Sequence, residues 1–534
     1  MTTTEIAPSE RHLTTEQAGR DPRRFWALAV IAVAQLMIVL DASVVIVALP
    51  SAQRALHISV ANRQWVMSAY TLAFGSLLLL GGRIADYLGR RRMFFVGLLG
   101  FAAASALGGL AQNAAMLFGA RALQGAFAAV MAPAALSLLT VTFTEPRERA
   151  RAFGVYGGIA GGGAAIGLVL GGTLTQLASW RWTLLINVPI ALIAALAANR
   201  VISESRSESR SGYDLPGAVT VTAGLFLLVY GFTTAGTDGW GSSLTVALLT
   251  GAMAMLAAFV VVEMRSPHPL LPLRVVLDRN RGGAYLAALL VGSAMLGTFL
   301  FLTYFFQGTL GYSALRTGFA FLPFSGGIIA GAALSSRLLP RFGPRPLMVV
   351  GLFLGSAGLL WFTRLGVDST YVAHVLLPEV IVSLGMGTAF VPMSSTALIG
   401  VDPKDAGVAS ALVNTTQQVG SSLGTALLNT IAASAAATFL AGHAHTRAEA
   451  RTAVVHGYTT AFTVSALLLL LAAGASAGLI RASRHDVPGD QIVSGEPIEP
   501  DRTPEPAPVS DPEFEPEFES SGRARWEPGV PAVG

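Results

Sequence analysis

The sequence predicts an all-α polytopic membrane protein with fourteen transmembrane helices, built as two six-helix halves with two extra helices between them. Three observations carry this. Only 12% of the 534 residues are charged, 53% are hydrophobic, and mean hydropathy is +0.59, whereas soluble domains carry roughly 25% charged residues. Apolar runs of about 20 residues recur along the chain, each long enough to cross roughly 30 Å of hydrocarbon. The later part of the chain also repeats the earlier part at a nearly fixed offset. Continuous apolar runs favour helices, because barrel strands would alternate over shorter segments.

Taken in order, residues 1–24 are polar and hold no apolar signal region before Trp26, so they read as an N-terminal tail. The first half, 25–199, holds spans near 26–47, 65–82, 93–111, 115–143, 153–177 and 183–199. Segment 200–282 carries two inserted spans, 215–235 and 244–263. The second half, 283–481, holds 283–307, 317–336, 347–363, 372–399, 407–439 and 457–480. In the tail 482–534, residues 485–534 bring 12 acids against three arginines among many prolines, the composition of a disordered segment.

An even number of spans places both termini on one side, and charge selects the side. Loops on the side of the termini hold 24 of the 35 Lys and Arg residues. The opposite loops hold seven: Arg54, Arg63, Arg181, Arg316, Arg364, Arg447 and Arg451. The positive-inside rule makes the termini cytoplasmic. The net charge of +4 is therefore a topology signal. These loops lack the interleaved aromatics of a nucleic-acid surface, so no nucleic-acid partner is expected.

Other function classes lack their signatures. There is no cysteine, hence no disulfide or thiolate metal site. No HExxH, no GxSxG near a usable base and no cluster of His with acids occurs in the spans, so an enzyme is not expected. An ATP-driven pump would need a GxxxxGK[ST] loop, and a receptor a large external domain; neither is present. No cofactor and no metal is implied.

An offset of 254 lays "SRLLPRFGPRPLM" (336–348) on "GRIADYLGRRRMF" (82–94), matching Gly343 with Gly89 and Arg345 with Arg91. An offset of 257 places Pro403, Gly420 and Gly424 on Pro146, Gly163 and Gly167. Repeated halves are typical of secondary transporters, whose sites lie between the repeats.

These residues resemble the major facilitator superfamily and, within it, the fourteen-span drug:proton antiporters. Gly82, Asp86, Gly89, Arg90 and Arg91 match the family's loop motif between spans two and three. "LDASVVIVALP" (40–50), "RALQG" (121–125) and "WRWTLLINVPI" (180–190) match motifs of spans one, four and six. "YFFQGTLGYSALRTGFAFLP" (304–323) and "GVASALVNTTQQVGSSLG" (407–424) match second-half stretches of the fourteen-span branch. The resemblance covers about residues 25–480. Two positions depart from the pattern: Tyr87 stands where a basic residue is usual, and Leu168 where the antiporter motif has proline.

The resemblance implies the major facilitator fold, alternating access and export of amphipathic drugs in exchange for protons, through a monomer in a bacterial cytoplasmic membrane. A uniporter or importer of the same fold is the alternative. Arginine outnumbers lysine 34 to one, which suggests a GC-rich bacterial genome and associates the chain with antibiotic self-protection. The motif loop reads either as a topology anchor or as a conformational gate. In the second reading Asp86 meets the start of span thirteen near Ala406 and Gly407, and Gly89 makes the turn.

Ionisable residues within spans are functional candidates by default. Asp41, Arg121 and Glu379 fall roughly 9–12 Å below the far surface at 1.5 Å per residue. Asp41 reads as a proton carrier, or as a packing acid satisfied by Ser43 or Gln35. Arg121 reads as a charge tuning that carboxylate, or as a partner of backbone carbonyls. The repeat places Glu379 within a residue of Arg121's position, and core pairing and proton coupling both fit it. Gly163, Gly167, Gly171 and Gly172 allow close helix approach. Tyr304, Gln307, Asn414, Gln417 and Gln418 are the candidate cavity residues, giving aromatic faces and hydrogen bonds to a small amphipathic substrate.

Overall fold

The computed structural model describes residues 23–60, 62–143, 145–202, 204–205, 214–267, 269–271, 273–401, 406–442 and 446–486. The expected tails therefore lie largely outside the described residues. Every regular element among them is helical. The long helices are α1 Arg23–Ala55, α2 Trp65–Leu88, α3 Arg90–Gly109, α4 Ala114–Thr142 and α5 Pro146–Leu177. Next come α6 Trp182–Val201, α7 Leu215–Asp238, α8 Ser243–Arg265 and α9 Arg279–Thr309. The remainder are α10 Ala314–Phe342, α11 Pro344–Phe362, α12 Tyr371–Thr396, α13 Ala406–Ala441 and α14 Arg447–Leu479.

Twelve of these helices are long and apolar enough to cross a membrane among the described residues. In α2 and α5 the corresponding apolar stretches are shorter, Trp65–Leu78 and Gly163–Leu177. In the sequence the charge-free runs are longer, 65–82 in α2 and 152–180 across α5. The protein is a multi-pass membrane protein.

Helix starts are marked by side chains that accept from first-turn amides. Asn113 accepts from Met116 N at 2.9 Å, Ser313 from Arg316 N at 3.2 Å, and Thr446 forms a reciprocal capping box with Glu449. Prolines account for the irregular spans. Pro189, Pro323 and Pro378 each withhold a bond from the carbonyl four residues earlier. Beside them α6 breaks at Ile186, α10 breaks at Phe321, and α12 opens with a π-turn over Tyr371–Val375.

The expected loop 83–92 is mostly helix. Chain α2 runs through Asp86 to Leu88 and α3 begins at Arg90, leaving Gly89 (φ +111°) as the hinge. Its repeat mate Gly343 (φ +76°) joins α10 to α11 in the same way. Likewise α1 continues past the expected end near 47 to Ala55, carrying Pro50 within it.

The repeat is visible in packing. Gly163 and Gly167 of α5 seat on Leu36, Val39, Leu40 and Ser43 of α1; Gly420 and Gly424 of α13 seat on Leu289 and Ser293 of α9. Gly97 of α3 packs on Met131 of α4, and Gly351 of α11 on Gly385 and Ala389 of α12. The inserted helices α7 and α8 pack on each other, and α7 contacts α2 and α13, one helix from each half.

Candidate functional site

The termini-bearing end of the bundle is called here the terminal face and the opposite end the far face. Within the first half, five helices converge on one buried polar centre. Asp41 and Arg121 are wholly buried and form an ion pair, Arg121 Nη1 to Asp41 Oδ2 at 2.5 Å. Asp41 Oδ1 accepts from Gln124 Nε2 and from Asn187 Nδ2, each at 2.9 Å. The carboxylate thus has three donors. Arg121 also donates to Gln124 Oε1 and to Val66 O, both at 2.9 Å, and its guanidinium lies 4.4 Å from the Tyr70 ring centre. Gln124 donates onward to Ser105 Oγ at 2.7 Å.

Local folding supplies each piece. Arg121 and Gln124 stand three apart on α4 and so share a face. Asn187 restarts α6 after the break at Ile186, and the break turns its amide toward α1. Arg121 thus both pairs with the Asp41 carboxylate and bonds a backbone carbonyl. Neither expected partner of Asp41 serves it in this way: Ser43 Oγ donates instead to the Val39 and Leu40 carbonyls.

Glu379 is not part of this centre. It lies fully buried in the second half on α12, where Tyr371 Oη approaches its Oε2 at 3.3 Å and its Oε1 has no partner. The Tyr371 hydroxyl also lies 2.8 Å from Ala320 O. Phe306 and Tyr312 pack against the Tyr371 ring, with centroids at 5.9 and 6.5 Å.

The cavity candidates divide. Tyr304 bonds Gln53 of α1 and receives the Arg63 guanidinium 4.1 Å above its ring, while Gln307 donates to Val47 O at 2.9 Å. Both therefore belong to a seam between the halves at the far face. Asn414, Gln417 and Gln418 share one side of α13, flanked by Gly75 of α2 and Gly292 of α9; Asn414 is exposed and the glutamines are half-buried. Gly163, Gly167 and Gly171 face α1, whereas Gly172 meets Ala314 and Leu315 of the other half. Leu168 is buried on that same seam, its carbonyl against Gly318.

At the motif hinge, Glu204 accepts from the first-turn amides of Arg91 and Arg92, each at 3.2 Å. At φ +111° the Gly89 position favours glycine, while the nearest atoms a Cβ would meet belong to the movable Glu204 carboxylate, at 2.7 Å from its Oε1. Arg91 Nη2 reaches Asn199 O at 2.8 Å, while Arg90 N donates to Ser205 O at 3.0 Å. Gly82 packs on the Pro133 ring. The side chain of Asp86 and those of 406–408 lie outside the described residues, so the expected latch between them is not observed.

Among the described residues, every hydrogen bond crossing between the halves lies toward the far face. Arg63 Nε donates to Asn429 Oδ1 at 3.2 Å, Asn429 Nδ2 to Gln64 Oε1 at 2.6 Å, and Ser422 Oγ to Ser68 O at 3.3 Å. Inserted α7 joins this seam through Gln64 Nε2 to Thr233 Oγ1 at 3.3 Å and Thr430 Oγ1 to Phe232 O at 3.0 Å.

Two repeated halves, a buried ion pair within one of them and a polar seam between them define a membrane transporter rather than an enzyme. The chain belongs to the Major Facilitator Superfamily, which its residues 31–425 match. It is 50% identical to a puromycin resistance protein of Streptomyces alboniger over 458 residues, covering 85% of this chain and 91% of that one. It is 42% identical to a cephamycin export protein of Amycolatopsis lactamdurans, over 76% of this chain and 85% of the other. A tetracenomycin C resistance and export protein of Streptomyces glaucescens shares 34% identity, over 79% and 78%. The fold resembles the crystal structure of a bacterial homolog of the human lysosomal transporter Spinster, with TM-score 0.62 and 17% identity, covering 88% of this chain and 99% of that one.

Sequence reasoning missed Gln124, Asn187, Ser105 and Tyr70. Gln124 and Asn187 stand inside the motifs of spans four and six, and that was the available signal.

Proposed function

We propose that this protein exports antibiotic-like amphipathic compounds from a bacterial cell in exchange for protons, by alternating access, with Asp41 carrying the proton. The observation that carries the coupling is the Asp41 centre: a buried carboxylate held by one arginine and two amides. An added proton would neutralise Asp41 and release Arg121, so protonation and helix arrangement are tied together. The far-face seam of Arg63, Asn429 and Gln64 supports a state closed on that side. The excess of base at the terminal face supports a cytoplasmic location for both termini. The resistance and export roles printed for the relatives support a drug as cargo. Glu379 is a second candidate for proton coupling, and the glycine hinge with Asp86, Arg90 and Arg91 is the candidate gate.

Proton flux in inside-out vesicles tests this, with puromycin, cephamycin and dyes added to wild type and Asp41→Asn. The expected outcome is compound-driven collapse of the pH gradient in wild type and none in the variant. Efflux without proton movement in wild type would instead establish a uniporter. Persistent coupling in Asp41→Asn would move the proton to another acid, with Glu379→Gln as the next variant.

A further inference from the structure

Two acids of the inserted helix pair take no part in the centre described above. Asp214 caps α7, its Oδ1 accepting from Gly217 N at 2.8 Å. Glu263 stands in the last turn of α8, its Oε2 accepting from Leu271 N at 3.0 Å. Both residues are 4% exposed. Each leaves its other oxygen, Asp214 Oδ2 and Glu263 Oε1, buried without a hydrogen-bond partner. These bare oxygens converge. A Cβ on Gly217 would lie 2.9 Å from each, so they stand no more than twice that distance apart, and glycine is what keeps the space between them open.

Two ionised carboxylates facing each other in a buried site repel, and the backbone amides of Leu270 and Leu271 lie at Glu263 alone. The charged groups facing Glu263 among the described residues are Asp214 and Arg83 of α2. The Arg83 guanidinium donates to Pro269 O at 3.2 Å. Tyr213 and His268 in the flanking loops lie outside the described residues. No third His, Cys, Asp or Glu joins the two acids among the described residues, and two carboxylates fall short of a metal's coordination sphere.

We propose that Asp214 and Glu263 form a proton-binding site in the inserted helix pair, holding one proton between Asp214 Oδ2 and Glu263 Oε1. The proton comes from solvent and returns to it, so the only bond made and broken is O–H. The site has a mechanical reading. Glu263 holds Leu271 and Arg83 holds Pro269, so one short loop ties the inserted pair to the α2 segment that leads into the Gly89 hinge. Loss of the proton sets two negative charges against each other across the start of α7 and the end of α8, and loosens that tie. The proposal is independent of the role of Asp41.

Infrared difference spectroscopy on the full chain in lipid nanodiscs, stepped in pH in water and heavy water, tests it. Wild type is expected to show a protonated-carboxyl band at neutral pH that Glu263→Gln loses. Asp214→Asn shifts it, because an amide then faces Glu263 in place of a carboxylate. Asp41→Asn keeps it, whatever that variant does to transport. Both test substitutions preserve shape: glutamine can donate to Asp214, and asparagine still caps α7. Identical bands in wild type and Glu263→Gln at every pH would overturn the proposal. So would a rise in melting temperature with added sodium or calcium that Glu263→Gln abolishes, since the occupant would then be a metal cation.

Discussion

In the first half Arg121 of α4 meets a carboxylate, an amide oxygen and a backbone carbonyl, whereas at the matching depth of the second half Glu379 of α12 has no cation among the described residues, only the Tyr371 hydroxyl and the Phe324 backbone amide nearby, with its Oε1 unbonded. The surrounding frame corresponds at several glycines, Gly89 with Gly343, Gly97 with Gly351, Gly163 with Gly420 and Gly167 with Gly424. The chemistry does not. The first-half centre is a net-neutral pair whose carboxylate has three donors, although Arg121 Nη2 is left without a partner. The second-half acid has no cation beside it among the described residues. Duplication has thus supplied a common frame, with ion pairing left to one half alone.

The sharpest way to break this comparison is to remove one member of the pair. Arg121→Leu leaves Asp41 buried and unpaired, and a broken buried pair typically costs about 3–5 kcal/mol. Chemical unfolding in detergent should show that loss. Adding Asp41→Asn should restore a large part of it, because the stranded charge is gone. With Asp41→Asn alone closing the cycle, a double loss equal to the sum of the two single losses would show that the 2.5 Å contact contributes no coupling.

Much of this frame was legible in the sequence, and the exceptions have physical reasons. Charges within apolar runs stand out, so Asp41 and Arg121 could be singled out without coordinates. Gln124 and Asn187 are neutral, and amides in helices often bond their own neighbours, so nothing local marks them; Asn187 reaches Asp41 across a sequence separation of 146. The loop expected at 83–92 proved helical because a single glycine at φ +111° suffices for the turn. Tyr304 and Gln307 reach across to Gln53 and Val47 of α1, contacts that only the partner helix could reveal. Asp214 and Glu263 stand at span ends, where charge is ordinary, and only Gly217 brings their oxygens together.

The glycine seams sharpen the comparison at intermediate cost. A Cβ on Gly424 would stand 2.1–2.5 Å from backbone atoms of Ser293. On Gly167 it would first meet Ser43 Oγ, the end of a short side chain that can rotate, and on Gly163 only side-chain carbons at 3.1 Å. Overpacking of this kind costs about 1–3 kcal/mol, with backbone clashes at the upper end. The melting temperature in detergent should therefore fall most for Gly424→Ala, less for Gly167→Ala and least for Gly163→Ala. Equal shifts at 424 and 163 would mean that the two halves pack with the same tolerance.

The smallest expected effect concerns the hydroxyl of Tyr371, which has one hydrogen and two acceptors. Ala320 O is the nearer at 2.8 Å, and Glu379 Oε2 lies at 3.3 Å. Tyr371→Phe removes one hydrogen bond, worth about 1 kcal/mol. If the hydroxyl donates to Ala320, its loss should cost the same in a Glu379→Gln background as in wild type. A loss that shrinks in that background would mean that tyrosine and glutamate are coupled, making the second-half acid a paired group after all. A double-mutant cycle on unfolding free energy reads the difference directly, and its sign decides whether the two halves differ in kind or only in the strength of their buried contacts.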